Sequence, residues 1–147
     1  MARAGYYRPR MASDPDCVFC KIVAGELPAT RVDEDERTVA FMDIAPATRG
    51  HALVIPRAQS ADLHSVSAED LAACAVAAQR LAGRIVERLG ADGVNVLNAA
   101  GPAAWQTVFH FHLHVIPRYR DDPLKLPWIP RDGDLDAIRR TGAELAG

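Results

Sequence analysis

Three histidines stand at alternate positions in one apolar run near the carboxyl end of the chain. The run occupies residues 110–116, where His110, His112 and His114 alternate with Phe, Leu and Val. Strict alternation predicts a half-buried β-strand whose polar residues share one face. Same-face neighbours on a strand lie about 6.5–7 Å apart. We therefore expect a straight row of three imidazoles on one face and a core on the other.

A structural role explains this run poorly, because Thr, Val or Tyr would give a strand more β-propensity than His. Two chemical roles are left, a metal site and covalent catalysis. His110 and His112 could share one ion, which keeps a metal-dependent hydrolase as an alternative, but a third ring in a straight row reaches the same ion poorly. No HExxH motif accompanies the run. A neutral imidazole can instead form a covalent intermediate at phosphorus, and the central His112 is the candidate nucleophile.

Composition limits the class of protein. The chain has 147 residues, of which 49% are hydrophobic and 24% charged, and this length favours one domain with its own core. A net charge of -2 argues against nucleic acid or an anionic membrane as a partner. No apolar run approaches the roughly 18 residues of a membrane span. We expect a cytoplasmic protein.

Periodicity and turn residues predict an α+β fold. The sheet has roughly five antiparallel strands, with one long helix packed on it and one short helix near the amino terminus. The predicted elements are a helix from an Asp16 cap to Ala24, strands at Arg31–Glu34, Thr38–Asp43, Ala52–Ile55 and Val94–Asn98, and a long helix from a Ser67 cap to a Gly90 stop.

A loop of small residues precedes the histidine run and offers hydrogen-bond donors. Residues 99–104 are mostly Ala and Gly, and Asn98, Gln106 and Thr107 flank them. Exposed backbone N–H groups and neutral side-chain donors can hold phosphate oxygens. An ordinary hairpin loop has a similar composition, so the loop predicts a phosphate site only in combination with the histidines.

The run at 110–116 matches the His-φ-His-φ-His-φ-φ motif of the histidine triad (HIT) family of nucleotide hydrolases and transferases. Further segments resemble that family in the same order: residues 17–26, 40–44, 49–57, Asn98 and 105–108. The resemblance covers residues 17–119, which is most of the chain. It implies a HIT-like fold.

The resemblance also implies a reaction. In the family the middle histidine attacks the α-phosphorus and forms a nucleotidyl-histidine, which here falls on His112. His114 would then bond the phosphate or the leaving group, and His110 would support the nucleophile. The expected substrate is a purine nucleoside phosphoramidate or a related mixed phosphate, which would release AMP or GMP. Dinucleoside polyphosphates are the close alternative, and a nucleotide-binding module without turnover is a further one.

The nucleoside site is placed by the same resemblance. Asp43 corresponds to the acid that binds the ribose, and a carboxylate can accept hydrogen bonds from both ribose hydroxyls. His51 corresponds to a histidine that lies close to the triad and would support it. The purine pocket corresponds to six apolar positions that a plain core would fill equally well: Val18, Phe19, Ile22, Phe41, Ile44 and Leu53.

A structural zinc site is a feature of many members of the family. There a CxxC pair, here Cys17 and Cys20, joins a downstream histidine and the first histidine of the triad, here His110. The downstream position is Gln59 in this chain. Zinc binding is therefore expected only if His51 or His64 substitutes as a ligand. No cofactor is required for the chemistry.

The segments outside the resemblance are assigned by composition. Residues 1–15 are predicted to form a disordered arm, residues 16–120 the HIT domain, and residues 121–147 a proline-containing arm that ends in a short helix near 135–145. By resemblance alone, we expect a homodimer in which two sheets join.

Overall fold

The computed structural model describes residues 13–147, so most of the predicted amino-terminal arm lies outside the described residues. Residues 13–147 fold into one five-stranded sheet with three α-helices, an α+β arrangement as predicted. The elements in chain order are α1 (Val18–Ala24), β1 (Arg31–Glu34), β2 (Thr38–Met42), β3 (Ala52–Pro56), α2 (Ala68–Leu89), β4 (Gly93–Leu97), a 3-10 turn (Pro102–Ala104), β5 (Leu113–Arg118) and α3 (Leu135–Ala146).

All neighbouring strands are antiparallel, in the order β1-β2-β3-β5-β4. The last strand, β5, is therefore inserted between β3 and β4. Its His114 lies opposite Leu53 of β3 on one side and opposite Leu97 of β4 on the other. This register places the third histidine of the triad within the sheet, where strands on both sides fix its position.

The two faces of the sheet bury different sets of residues, because side chains alternate along each strand. The α2-side core includes Val54, Phe111 and Val115, together with Leu81 and Ile85 of the helix. On the opposite face the α1-side core consists of Phe19, Ile22, Val39, Phe41, Leu53 and Ile55. The long helix therefore supports the sheet from behind and leaves the α1 side for the site.

Capping residues set the helix ends. The Sγ of Cys17 accepts a hydrogen bond from the backbone N–H of Cys20 at 3.4 Å, so Cys17 caps α1 and the prediction of Asp16 was wrong by one residue. Ser67 caps α2 as predicted, and its side chain accepts from the N–H of Asp70 at 3.1 Å. Gly90 ends α2 in the left-handed conformation.

The histidine run differs from its prediction. Strand pairing begins only at Leu113, so His110 and His112 precede β5 in an irregular extended segment. Two hydrogen bonds replace the ladder there: Phe111 N–H donates to the carbonyl of Ser60 at 2.7 Å, and the His112 ring bonds the His110 carbonyl at 2.7 Å. The prediction of a straight row of three rings was wrong, although Phe111 and Leu113 are buried in the α2-side core as expected.

The chain ends in the predicted helix, α3, whose cap is Asp134. None of its residues is buried in the described part of the chain. Among residues 13–147, no helix combines the length and the apolar character needed to cross a bilayer.

Among the glycines of residues 13–147, Gly50 is the one where an added Cβ would be most crowded. Its φ is +91°, and a Cβ there would lie 2.6 Å from Leu89 Cδ1 and 3.0 Å from Pro117 Cγ. Gly50→Ala should lower the free energy of unfolding by about 1–3 kcal/mol through overpacking and backbone strain. Urea unfolding measures this change.

Gly83→Ala is the matched control. Gly83 lies within α2, and a Cβ added there would meet no atom within 4 Å, so alanine should stabilise the helix by roughly 0.5–1 kcal/mol. If both substitutions changed stability in the same direction, the packing argument for Gly50 would be wrong.

Candidate active site

Two of the three triad rings lie side by side on the α1 face of the sheet. The ring centroids of His112 and His114 are 5.0 Å apart. Phe19 of α1 presents its ring perpendicular to that of His112 at a centroid distance of 5.3 Å. Since β5 holds His114 and α1 packs against His112, both rings are fixed by secondary structure.

The partners of His112 assign its tautomer. Its Nδ1 lies 2.7 Å from the main-chain carbonyl of His110, which can only accept a hydrogen bond. The proton is therefore on Nδ1, and Nε2 carries a lone pair. Burial lowers the pKa of His112 below its usual value, so the ring is neutral at pH 7. This is the state that a nucleophilic imidazole needs.

His114 is also neutral at pH 7, but it has the opposite tautomer. Burial, with repulsion from His112 and His51, lowers the pKa of His114 to about 4. Its Nδ1 lies 2.9 Å from the Nε2 of His51. Because the Nδ1 of His51 accepts from a main-chain N–H, His51 donates through Nε2, and the proton of His114 is on Nε2. The pair thus offers a lone pair on His112 and an N–H on His114.

His51 is bonded on both sides. Its Nδ1 accepts a hydrogen bond from the Ala47 backbone N–H at 3.0 Å, and its Nε2 lies 2.9 Å from His114 and 3.4 Å from a carboxylate oxygen of Asp43. The other oxygen of Asp43 accepts from the Ala45 N–H at 2.8 Å. His51, predicted separately from the triad, therefore hydrogen-bonds His114, and the carboxylate of Asp43 lies beside the same nitrogen of His51.

The side chains of Asp43, His51 and His114 are of the types that bind metals, but the His51 nitrogen that faces the other two carries a proton. The ligand atoms of Asp43, His51 and His114 lie within 4.8 Å of one another. The Ala47 N–H occupies the lone pair of His51 Nδ1, which leaves the proton on Nε2. A protonated nitrogen cannot bind a metal. The cluster is therefore a hydrogen-bonded pair of rings with a carboxylate beside it.

The six positions predicted for the purine pocket divide into two groups. Phe19, Ile22, Phe41 and Leu53 are 3–7% exposed and form part of the α1-side core. Val18 is 49% exposed and Ile44, next to Asp43, is fully exposed. Phe19 of the buried group packs on His112, whereas the exposed pair lies at the protein surface.

Gln106, predicted as a phosphate donor, is engaged by the protein. Its Nε2 donates to the carbonyls of Ala61 at 2.7 Å and Val108 at 3.0 Å, and its Oε1 accepts from the Gly101 N–H at 2.8 Å. Both amide hydrogens are used. The structure thus corrects the prediction for this residue: Gln106 holds the loop in shape, and its amide is not available to a phosphate.

The other two predicted phosphate donors differ from each other. The Nδ2 of Asn98 donates to the main-chain carbonyl of His112 at 2.9 Å, which fixes the backbone of the candidate nucleophile. Thr107 is exposed, and no hydrogen bond of its hydroxyl is found within residues 13–147. Among residues 13–147, the Thr107 hydroxyl and the second N–H of Asn98 are therefore the side-chain donors of these three residues that no protein group engages.

The third triad residue, His110, points away from the other two. Its Nε2 lies 2.8 Å from the carbonyl of Pro56 and so carries the proton. Its Nδ1 lone pair faces the Sγ atoms of Cys17 at 3.5 Å and Cys20 at 3.6 Å. Burial raises the pKa of the Cys20 thiol. The CxxC pair and His110 thus converge as the sequence predicted.

Gln59 completes this thiol cluster of Cys17, Cys20, His110 and Gln59. Its Oε1 lies 3.6 Å from Cys20 Sγ, and its Nε2 donates to the Phe109 carbonyl at 2.8 Å, which directs the oxygen toward the thiols. Neither alternative histidine is present, because His51 belongs to the triad chain and His64 is exposed elsewhere. Two sulfurs and one imidazole nitrogen are ligand atoms that zinc takes in proteins, so Cys17, Cys20 and His110 supply three of the four ligands of a tetrahedral site.

Sequence reasoning missed the backbone groups that assign the tautomers. The carbonyls of Pro56 and His110 and the N–H of Ala47 each fix one ring. A main-chain group leaves no signal in the sequence, because every residue carries one. The family resemblance placed His51 close to the triad, but it did not identify the main-chain N–H that orients its ring.

Acid should destabilise this site through His114. The folded pKa of His114, about 4, lies below the ordinary 6.5. Between these values the unfolded chain binds more protons, so stability is complete above about pH 6.5 and is lost as pH falls. We expect a lower melting temperature at pH 5 than at pH 7, measured by calorimetry. His114→Gln should reduce the difference, and an unchanged melting temperature would contradict the burial argument.

Comparison with known proteins agrees with this geometry. The family model described as the HIT domain matches residues 24–121. A HIT-like protein of Mycobacterium tuberculosis is 42% identical over 84% of this chain and 88% of its own. Adenosine 5′-monophosphoramidase of Schizosaccharomyces pombe is 36% identical over 88% of this chain and 96% of its own.

One solved structure is similar to this chain in fold, and that protein is described as zinc-bound. The zinc-bound histidine triad family protein of Mycobacterium smegmatis is 44% identical and superposes with a TM-score of 0.73, over 89% of this chain and 96% of that one. The sequence motif, the sheet topology and these matches lead to one conclusion: the chain belongs to the HIT family of histidine triad proteins.

Proposed function

We propose that this protein hydrolyses purine nucleoside phosphoramidates or related mixed phosphates at the α-phosphorus and releases a nucleoside monophosphate. The observation that carries the proposal is the pair of neutral rings 5.0 Å apart, with a lone pair on His112 Nε2 and a proton on His114 Nε2. The relative from Schizosaccharomyces pombe, whose name describes a phosphoramidase, supports the same substrate class.

The reaction has two displacements at phosphorus. In the first, the Nε2 lone pair of His112 bonds to the α-phosphorus while the P–N bond to the leaving amine breaks. The amine departs with the electron pair and takes a proton from solvent. In the second, water bonds to phosphorus, the bond to His112 breaks, and a proton returns to solvent. A nucleotidyl-histidine is the intermediate between the two displacements.

The protein contributes mainly position and hydrogen bonds, as phosphoryl-transfer chemistry requires. The Asn98 amide and the His110 carbonyl hold the backbone and the ring of His112. The Nε2–H of His114 and the open hydroxyl of Thr107 are donors suited to the phosphate oxygens. Each donor is neutral, so the site can bind and release a singly charged phosphodiester-like group without a fixed ion pair.

The nucleoside is proposed to lie beside Asp43. One of its carboxylate oxygens bonds the Ala45 N–H, and acceptor capacity is left for ribose hydroxyls. The exposed side chains of Val18 and Ile44 would contact the two faces of a purine. The buried Phe19 supports this slot from below and packs on His112.

The homodimer expected from the family is proposed to form through β4. A strand at a sheet edge presents unpaired backbone groups to a second strand. The edge at β1 is protected by charge, because Asp33 and Glu34 pair with arginines. The edge at β4 carries Val96 and Leu97, which are 48% and 42% exposed. An exposed apolar edge of this kind suits a second copy of the chain.

The cytoplasm is the proposed compartment. Cys17, Cys20 and Cys74 are all free thiols, and free thiols persist where the environment is reducing. With a net charge of -2, nucleic acid and membrane surfaces are not proposed as partners.

His112→Ala tests the nucleophile. AMP release from adenosine 5′-phosphoramidate should fall about 10³-fold or more, which corresponds to roughly 4 kcal/mol of activation free energy, because the covalent route is lost. Chromatography measures AMP release with EDTA present, since the chemical step needs no metal. Diadenosine tetraphosphate, assayed in parallel, tests the polyphosphate alternative.

His64→Ala is the matched control, because it removes an exposed histidine outside the site and should retain wild-type turnover. Equal activity of His112→Ala and wild type would eliminate the covalent mechanism. Activity that EDTA abolishes at once would favour a metal-dependent hydrolase.

Structural zinc is a separate proposal for the thiol cluster. When bound, zinc would tie the start of α1 to the segment that carries His110. Cys17→Ser should abolish stoichiometric zinc binding, measured by competition with a chromogenic chelator, whereas Cys74→Ala, in the α2-side core, should not. Gln59→His should tighten binding about tenfold or more, because imidazole is a better zinc ligand than an amide oxygen. Equal zinc affinity of Cys17→Ser and wild type would refute the site.

A further inference from the structure

Trp105 is the one residue other than glycine that has a positive φ in the described part of the chain. Its φ is +71°. A bulky side chain rarely adopts this left-handed conformation, because its Cβ then lies too close to the following carbonyl oxygen. Strained backbone persists where the surrounding structure enforces it, and it is concentrated at functional sites. The loop thus carries a large side chain at a position where glycine would be free of strain.

Packing does not explain this conformation. Trp105 is 74% exposed, and among residues 13–147 no other aromatic ring pairs with its indole. A buried indole would offset the strain by the apolar area that it removes from water. Here most of that area faces solvent, so the ring is free to contact a ligand.

Hydrogen bonds hold the backbone on which the indole stands. The buried side chain of Gln106 donates to the carbonyls of Ala61 and Val108. The backbone N–H of Trp105 donates to the carbonyl of Pro102 at 3.0 Å. The Trp105 backbone is therefore fixed before a ligand arrives, and its ordering costs the ligand no binding energy.

This loop begins beside the triad. Leu97, the last residue of β4, lies opposite His114 on β5, and the Asn98 amide bonds the His112 carbonyl. Asp43 follows β2, which lies on the other side of β5, beyond β3. A substrate whose nucleoside lies at Asp43 and whose phosphorus lies at His112 can therefore extend its leaving group toward the loop.

We propose that Trp105 is a specificity-determining residue whose indole stacks on an aromatic ring of the leaving group. The proposal rests on the proposed function, because it places one part of that substrate. Two peptide units separate Trp105 from Thr107, a proposed phosphate donor, so their Cα atoms are at most about 7.6 Å apart. A ring joined to phosphorus by a short linker spans such a distance. An indole face recognises another ring without charge or a fixed hydrogen bond.

Paired substrates test this contact. Adenosine 5′-phosphoramidate with a phenethyl group on nitrogen is compared with its butyl analogue, which has no ring. Wild type should show the higher kcat/KM for the phenethyl compound. Trp105→Gly should lower the phenethyl-to-butyl ratio about 3- to 10-fold, the range of one aromatic pair. Glycine tolerates the left-handed φ, so this variant removes the ring and keeps the loop.

The ring can belong to an arylalkyl amine or to the base of a second nucleotide. Diadenosine tetraphosphate distinguishes these sources, because its kcat/KM relative to the butyl compound should fall in Trp105→Gly only if the second base stacks on the indole. A loss with either aromatic substrate supports the proposal. Unchanged ratios for both would overturn it.

Further variants separate stacking from general apolar contact. Trp105→Phe should retain most of the phenethyl-to-butyl ratio and Trp105→Leu should lose it, since leucine is apolar but has no ring. Equal ratios in these two variants would contradict stacking. Trp128→Gly is the matched control, because Trp128 is 63% exposed in the arm that follows β5. It should leave the ratio unchanged. A loss there in place of Trp105→Gly would refute the assignment.

Fluorescence tests the contact without turnover. The chain has two tryptophans, so Trp128→Phe leaves Trp105 as the sole indole. In this variant combined with His112→Ala, the phenethyl compound should quench the fluorescence saturably and the butyl compound should quench it less. Quenching by the phenethyl compound with no turnover in wild type would refute the proposed function and leave the stacking contact intact. Turnover with equal quenching by both compounds would refute the stacking contact and leave the proposed function intact.

Discussion

The hydrogen bond from His112 Nδ1–H to the main-chain carbonyl of His110 is the contact on which the site depends. At 2.7 Å it joins two residues of the irregular segment that precedes strand pairing at Leu113. In that segment the ring of His110 faces the thiols and the ring of His112 lies beside that of His114. The hydrogen bond places a lone pair on His112 Nε2, since a carbonyl can only accept.

One residue, His110, therefore serves two sites. Its ring belongs to the thiol cluster with Cys17 and Cys20, and its carbonyl orients the candidate nucleophile. The Pro56 carbonyl fixes the tautomer of the ring. Burial keeps these imidazoles neutral by penalising the charged form. A phosphate thus meets oriented dipoles, which need no reorganisation as charge shifts during the reaction.

Most of the fold could be predicted because its signals are local. Alternation and turn residues located the first four strands to within one residue at each end, and the Ser67 cap and Gly90 stop delimited α2. The errors also have local causes. Asp16 and Cys17 are both polar neighbours able to cap α1, and nothing in the sequence shows which side chain turns inward. Alternation at 110–112 suggested a strand because it reflects which side chains are buried. It does not show whether the backbone pairs with a neighbouring strand, and here pairing starts only at Leu113.

The sequence by itself determined the chemistry available to this protein: three histidines in register, a CxxC pair, Asp43 and a family resemblance that the comparisons confirmed. Only the tertiary structure decided how those groups are used. His51 and His114 are 63 residues apart, and Cys17 and His110 are 93 apart. Residue type fixes which atoms can carry a proton, but their partners decide which ones do, and those partners are main-chain groups brought together by folding.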